Sequence, residues 1–303
     1  MKKMFRGGLT KKFRCMLIRF RNKSYYLTRK AKYLEVSKLH KPDRETVVIY
    51  QMGKVGSSSV KYSLSKLDRP MNLYHVHALT KERIDWQQQA YRNASRIRGK
   101  AVIHSHLVEG IFLRKELDRN PNQHWKIITL VRDPIARNIS TFFQSLDILF
   151  PEWVKEHNID KDNLVDHVKE MIELFLSKAD HKLPLVWFDK LLKPVFNINV
   201  FDQKFPVSKG YEIYKNDKVE LLLIKLEDLD RCASNAFKEF LGIENFALVN
   251  ANITSEKADS KAYAEFKKLI RLPDSYIDEM YSSQLVQHFY TQSEIDRLKT
   301  KWR

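Results

Sequence analysis

Two short stretches of this 303-residue chain carry residue types suited to holding phosphate, and two pairs of histidines stand where a proton could be moved. The first stretch is Gly53-Lys54-Val55-Gly56-Ser57-Ser58, which follows the apolar run Thr46–Met52. A loop between a strand and a helix start gathers backbone N–H groups and the positive helix end around an anion. The two glycines permit positive φ and close backbone approach. Lys54 adds a full charge, and Ser57 and Ser58 offer hydroxyl and amide donors at the first helical turn. A nucleoside-triphosphatase loop needs its lysine directly after the second glycine. Here Lys54 precedes Gly56, so that motif is absent.

The second stretch is Arg132-Asp133-Pro134 with Ser140 eight residues after the arginine. If a helix starts at Asp133, Ser140 shares a face with Asp133 and Arg137. An arginine at a strand end and a serine on the outgoing helix can close on one phosphate, and the guanidinium fork suits that task. In a parallel sheet both loops open at the carboxyl edge of the strands. The pair therefore offers two anion sites, as a nucleotide with separate 5′ and 3′ phosphates would require.

The histidines are His104 and His106, closing the apolar segment Lys100–Ser105, and His75 and His77, closing Asn72–His77. A side chain titrating near neutrality is the natural base for a hydroxyl acceptor. Spacing of i, i+2 places each pair on one face of an expected strand. Glu109 and Asp189 are carboxylate alternatives. No His/Asp cluster has convincing metal-ligand spacing, and the chemistry envisaged needs no metal.

The elements that must position these groups alternate. Strands are expected at Thr46–Met52, Asn72–His77, Lys100–Ser105 and Trp125–Val131, with helices after each and Pro134 opening one of them. This alternation predicts an α/β fold of three layers, with a central parallel sheet covered on both faces. Residues 151–198 read as helical additions, and Val200–Phe205 as extended. Asn216-Asp217 turns a hairpin between Tyr211–Tyr214 and Val219–Lys225. Helices follow over Glu227–Leu241, Glu256–Ile270 and Ser293–Trp302. Aromatic residues of 150–215, among them Trp153, Trp187, Phe188, Tyr211 and Tyr214, are the expected acceptor contacts.

The chain divides into a basic arm, residues 1–45, and one α/β domain, residues 46–303. The net charge is +17, and the arm alone holds 15 Lys/Arg against three acids. Such local excess reads as an electrostatic device and not as a property of the fold. Phe13, Met16, Leu17 and Phe20 form one helical stripe flanked by arginines, suited to docking on the domain or to peripheral contact with a membrane surface. Charge concentrated in the arm argues against nucleic acid as partner. No apolar run is long enough to span a bilayer. Cys15 and Cys232 are the only cysteines, so no disulfide framework exists. These features predict a cytoplasmic protein.

Over residues 46–145 the chain resembles the PAPS-dependent sulfotransferases, PAPS being 3′-phosphoadenosine-5′-phosphosulfate. The strand–Gly53-Lys54-Val55-Gly56-Ser57-Ser58–helix unit is similar to their 5′-phosphosulfate loop, and Arg132 with Ser140 in VRDPIARNIS to their 3′-phosphate motif. The resemblance implies a P-loop-like, sulfotransferase-like fold and PAPS as co-substrate, leaving adenosine 3′,5′-bisphosphate. It also implies His106 as base and Lys54 as the cation that stabilises charge growing on the leaving phosphate. Later segments, including LVQHFYTQSEIDRLKTKW, resemble bacterial capsular polysaccharide synthesis proteins, which implies a glycan acceptor. The chain departs from the sulfotransferase pattern at Gly53, at the serines standing for threonines, at Ser59 where a tryptophan often lies near the adenine, and at His104 where a lysine is usual. The glycine-rich C-terminal phosphate segment is missing, and Asn252–Lys261 is its nearest substitute. The alternatives are a kinase using the same loop, which would need an acidic magnesium residue such as Asp133, and a non-catalytic polysaccharide-assembly protein.

Overall fold

In the computed structural model, the described residues are 11–159, 163–249 and 260–303, with side chains described from Lys23 onward and not at residue 260. A five-stranded sheet forms the centre, built from β1 (Glu45–Tyr50), β2 (Met71–Val76), β3 (Trp125–Val131), β4 (Tyr211–Lys215) and β5 (Val219–Lys225). The strand order is β2-β1-β3-β5-β4. Four strands run parallel and β4 pairs antiparallel with β5 at one edge, through the hairpin expected at Asn216-Asp217. In β1 every residue from Thr46 to Tyr50 is buried, as are Leu221 to Lys225 in β5. Unbroken burial means that both faces of the sheet are covered, the usual state of parallel strands.

Helices α1 (Lys11–Leu39), α2 (Ser57–Ser65), α3 (Lys81–Arg98), α4 (Ser105–Arg119) and α5 (Pro134–Leu149) accompany the first three strands. Local chemistry fixes their starts. Thr80 accepts a hydrogen bond from Arg83 N at 3.3 Å to cap α3, and Gly99 closes it in the left-handed region. Asp133 accepts from Ile135 N and Ala136 N, with Pro134 in the first turn of α5.

Lys100–Ser105 is not a strand. Its backbone finds side-chain partners in place of a sheet: Val102 N donates to Ser95 Oγ at 2.9 Å, and Lys32 Nζ donates to Ile103 O at 3.3 Å. With those groups satisfied the segment runs straight into α4, whose N-cap is His104. His104 and His106 thus flank a helix start. Val200–Phe205 is likewise a series of turns, with Asn199 Oδ1 accepting from Phe201 N at 3.3 Å. Two helices, Asp274–Tyr281 and Gln284–Phe289, lie where the sequence pattern gave no element.

Within the basic arm, Tyr25 is buried against Tyr91 of α3 and Leu107 of α4, and Tyr33 meets the ring of Phe112 at 6.0 Å. The side chains of the stripe Phe13 to Phe20 lie outside the described residues, as does most of Asn252–Lys261. Among the described residues no helix is long and apolar enough to cross a membrane.

Candidate active site

The loop after β1 is held in an unusual backbone shape. Gly53, Lys54 and Gly56 all have positive φ, at 83°, 61° and 83°. Gly56 is also the N-cap of α2, and a Cβ there would collide with the Leu226 side chain. Neither the conformation nor the space admits another residue.

Arginines of the β3–α5 motif fasten this loop from one side. Arg137 Nη2 donates to Met52 O at 2.6 Å and its Nε to Gly53 O at 3.4 Å, while Arg132 Nη1 donates to Lys54 O at 2.9 Å. In planar trans peptides the following N–H groups must then turn the opposite way. Those are the amides of Gly53, Lys54 and Val55; Gly53 N donates to Gln51 Oε1, and the amides of Lys54 and Val55 are left to form an anion-binding concavity. Arg132 Nη1 also reaches Ser140 Oγ at 3.3 Å, so the expected pair does meet. Nε and Nη2 of Arg132 make no hydrogen bond among the described residues. Tyr263, a residue the sequence pattern did not single out, places its hydroxyl 3.2 Å from Ser140 Oγ. Arg137 is buried, and loss of solvation pulls its pKa down to about 9.

Ser58 is exposed on the first turn of α2, and the Val55 side chain is core. Ser57 turns its hydroxyl inward, 2.8 Å from Gln51 Nε2 and 2.9 Å from His75 Nε2, so only its amide remains for a ligand. Gln51 is the hub beneath the loop. It is fully buried, and its Oε1 accepts from Gly53 N. A polar residue closing an apolar strand immediately before the glycine loop was the available signal for it.

Four histidines line up beside this hub. Ring centroids are 5.0 Å apart for His75–His77, 4.4 Å for His77–His106 and 5.1 Å for His104–His106. Burial pushes all four toward neutrality, reinforced for His75, His77 and His106 by neighbouring histidines. The pKa falls to about 4 for His77 and to about 2 for His75 and His106. Among the described residues no group of three His, Cys, Asp or Glu could hold a metal ion.

Hydrogen bonding separates the two candidate bases. His77 Nδ1 lies 3.0 Å from Gln51 O and 3.0 Å from Gln51 Nε2. Gln51 O only accepts and Gln51 Nε2 only donates, so the two contacts favour opposite tautomers; in the one that serves the carbonyl, Nδ1 keeps its proton and the lone pair sits on Nε2. That nitrogen makes no hydrogen bond among the described residues. His106 Nε2 is instead 3.1 Å from the Tyr91 hydroxyl. Glu109 is occupied by His75 N at 2.7 Å and by Lys61. Asp189 is exposed and does not line the cavity described next.

A cavity of about 320 Å³ opens between the loop, α3 and α5, with His77, His104 and His106 in its wall. Of the aromatic residues expected to meet an acceptor, Trp187 lines it, packed on Tyr50 with ring centroids 4.8 Å apart. Trp153 stacks on His157, Phe188 packs among Phe201 and Phe289, and Tyr211 and Tyr214 lie on the edge strand β4.

Asp133 is not available to a cation. Its Oδ1 accepts from Tyr281 OH at 2.9 Å and its Oδ2 from Trp302 Nε1 at 3.1 Å, in addition to the cap of α5. The C-terminal helices thus seal the carboxylate into the core.

Residues 156–291 match the family model NKWYS, described as "Putative capsular polysaccharide synthesis protein". The match covers less than half of the chain and begins after both phosphate motifs. It supports a resemblance to capsular polysaccharide synthesis proteins. Neither the curated proteins nor the solved structures gave a match.

Proposed function

We propose that this protein is a sulfotransferase that moves a sulfuryl group from PAPS to a hydroxyl of a surface or capsular glycan. The observation that carries the reading is Arg132, which touches both the Lys54 carbonyl and Ser140 and whose Nε and Nη2 make no hydrogen bond among the described residues. Two anion subsites thereby share one residue at one sheet edge. The residues present fit PAPS: the loop from Gly53 to Ser58, through the amides after Gly53 and the Lys54 ammonium, would take the 5′ end, and Arg132 with Ser140 the 3′ phosphate. When bound, PAPS supplies the sulfuryl group on an activated phosphate. Lys54 lines the cavity and would stabilise negative charge developing on the departing oxygen. Deprotonation of the acceptor falls to the neighbouring pair His77 and His106. With its Nδ1 proton given to Gln51 O, His77 would carry a lone pair on Nε2, and on that tautomer we favour it over His106, the base that the family resemblance implies. The family match over residues 156–291 supports a glycan as acceptor.

A kinase reading would need Asp133 to hold magnesium, and that carboxylate already accepts from four donors. Membrane contact through the arm belongs to the same proposal: Leu27 and Leu34 are exposed on α1 among lysines.

Thermal unfolding with adenosine 3′,5′-bisphosphate or with ATP and magnesium tests the reading. At 100 times its dissociation constant the bisphosphate should stabilise by about 2.7 kcal/mol, with ATP far behind. Arg132→Ala should abolish most of that shift while the free protein still melts cooperatively. Equal shifts from both nucleotides, or one from ATP alone, would instead favour the kinase.

A further inference from the structure

The cavity wall on the α3 side contains polar groups that the protein leaves without partners. Arg83 points its guanidinium over the ring of Trp86, with Cζ 4.1 Å from the centroid. Its Nε is buried without a hydrogen bond, and among the described residues the side chain has no ion pair. Gln87 Oε1, Thr141 Oγ1 and Trp187 Nε1 are also buried and unpartnered, and all three residues line the same cavity. Buried polar groups are normally satisfied, so four such atoms among the residues of one cavity wall mark bonding capacity that the protein itself does not use.

Charge decides which ligand. The wall holds Lys54, Arg83, Arg137 and Lys178 against the single carboxylate of Asp180. Asp180 acts on Arg83 electrostatically but forms no salt bridge with it among the described residues; its Oδ1 accepts from Lys182 N and Leu183 N, each at 3.2 Å. Arg137 is spent on the loop carbonyls. The histidines His77, His104 and His106 in the wall are neutral at physiological pH for the reasons given above. Lys54 belongs to the proposed 5′ subsite and Lys178 is exposed. What remains is a partly desolvated guanidinium with no salt bridge among the described residues, the group whose flat fork matches a carboxylate. The same wall carries a donor in Trp187, a hydroxyl in Thr141 and an acceptor in Gln87, groups that suit the hydroxyls of a sugar ring.

Resting on the sulfotransferase reading for what happens next to the bound ring, we propose that the cavity selects an acidic glycan, holding the carboxylate of a uronic acid residue on Arg83. The consequence is a specificity determinant separate from the nucleotide subsites. Neutral sugars would leave the Arg83 charge buried and unpaired, a large penalty against them.

The experiment has two arms. In the first, saturation-transfer NMR without nucleotide compares glucuronate and galacturonate oligosaccharides with their carboxyl-reduced neutral counterparts. Uronates should bind, neutral counterparts should bind at least tenfold more weakly, and Arg83→Gln should erase the difference. Arg83→Lys, which keeps the charge and loses the fork, should restore part of it. In the second arm, labelled PAPS with the same sugars should give a KM for the uronate raised roughly 10–100-fold by Arg83→Gln, the worth of a hydrogen bond to a charged group. The melting shift with adenosine 3′,5′-bisphosphate should be unchanged in that variant. Equal binding of neutral and acidic sugars, or tighter binding of phosphorylated sugars, overturns the assignment. Uronate binding without any PAPS turnover leaves Arg83 standing and sinks the sulfotransferase reading instead.

Discussion

The frame at the start of α5 and the wall of the cavity treat their polar groups in opposite ways. On α5 and the strand end before it, Asp133, Arg137 and Asn138 are buried, and each is hydrogen-bonded: to helix amides, to loop carbonyls, to Tyr281, Trp302 and His181. In the cavity wall, Arg83 and Gln87 of α3 and Thr141 further along α5 hold unpartnered atoms. The first set spends its bonding capacity within the protein and so builds the frame that gives the loop its shape. The second set keeps capacity in reserve, at the cost of unpaired buried groups, and that is the mark of a surface completed by a ligand. His77 lies between them and shares both characters, with Nδ1 committed to the frame and Nε2 uncommitted.

The largest expected effect is at this junction. Replacing His77 by Ala should lower turnover by roughly 10²–10⁴-fold, the usual worth of a general base, while nucleotide affinity stays nearly constant. His106→Ala should hurt less, because its Nε2 already meets Tyr91. Steady-state rates with labelled PAPS decide between them. If His106→Ala abolishes turnover and His77→Ala does not, the base is His106 and the tautomer argument fails.

The contrast between frame and wall predicts unequal stability effects. Asp133→Ala strands two helix amides, a tyrosine hydroxyl and the Trp302 indole N–H in the core, and should destabilise by about 2–4 kcal/mol. Arg83→Gln removes no hydrogen bond and loses only the contact with the Trp86 ring, so it should change stability by no more than about 1 kcal/mol. Urea midpoints measure both. Similar losses in the two variants would mean that Arg83 belongs to the frame after all.

Much of the frame was legible in the sequence, because it is written in short-range chemistry. Gly53, Gly56, Pro134 and the apolar runs around them are local signals, and strands β1, β2 and β3 fall within a few residues of their expected places. The hairpin at Asn216-Asp217 was equally plain. Lys100–Ser105 misled because Ala101, Val102 and Ile103 suit a strand, and what overrides that preference is remote: Ser95 on α3 and Lys32 on α1 take its backbone groups. The roles of Gln51, Arg83 and Tyr263 were hidden for the same reason. Each depends on a partner, or on the want of one, that only the folded chain brings near. The sealing of Asp133 by Tyr281 and Trp302, nearly 150 residues or more along the chain, had no sequence signature either.

The smallest effect concerns pH, and it tests whether the histidine row is as dry as its packing suggests. Burial lowers the folded-state pKa of His77 to about 4 and of His75 and His106 to about 2, against 6.5 in an unfolded chain. Between those values the unfolded state binds protons that the folded state refuses, so stability must fall as pH falls below about 6.5. His104, His181 and His288 are shifted in the same direction by burial. Glu227 opposes them: burial raises its pKa, so it takes up a proton more readily folded than unfolded and favours the fold as pH falls. Carboxylates held low by cationic partners, such as Asp228 and Glu294, begin to act only below their ordinary values near 4. The window from pH 6.5 to 5 therefore reports chiefly on histidines. Urea midpoints there should drop with pH, and His75→Asn should flatten the slope by up to one proton, about 1.4 kcal/mol per pH unit. A midpoint that is constant or rises across this window would mean that the row is wet and readily protonated. His77 would then titrate near neutrality, and loss of its turnover on acidification would track that titration.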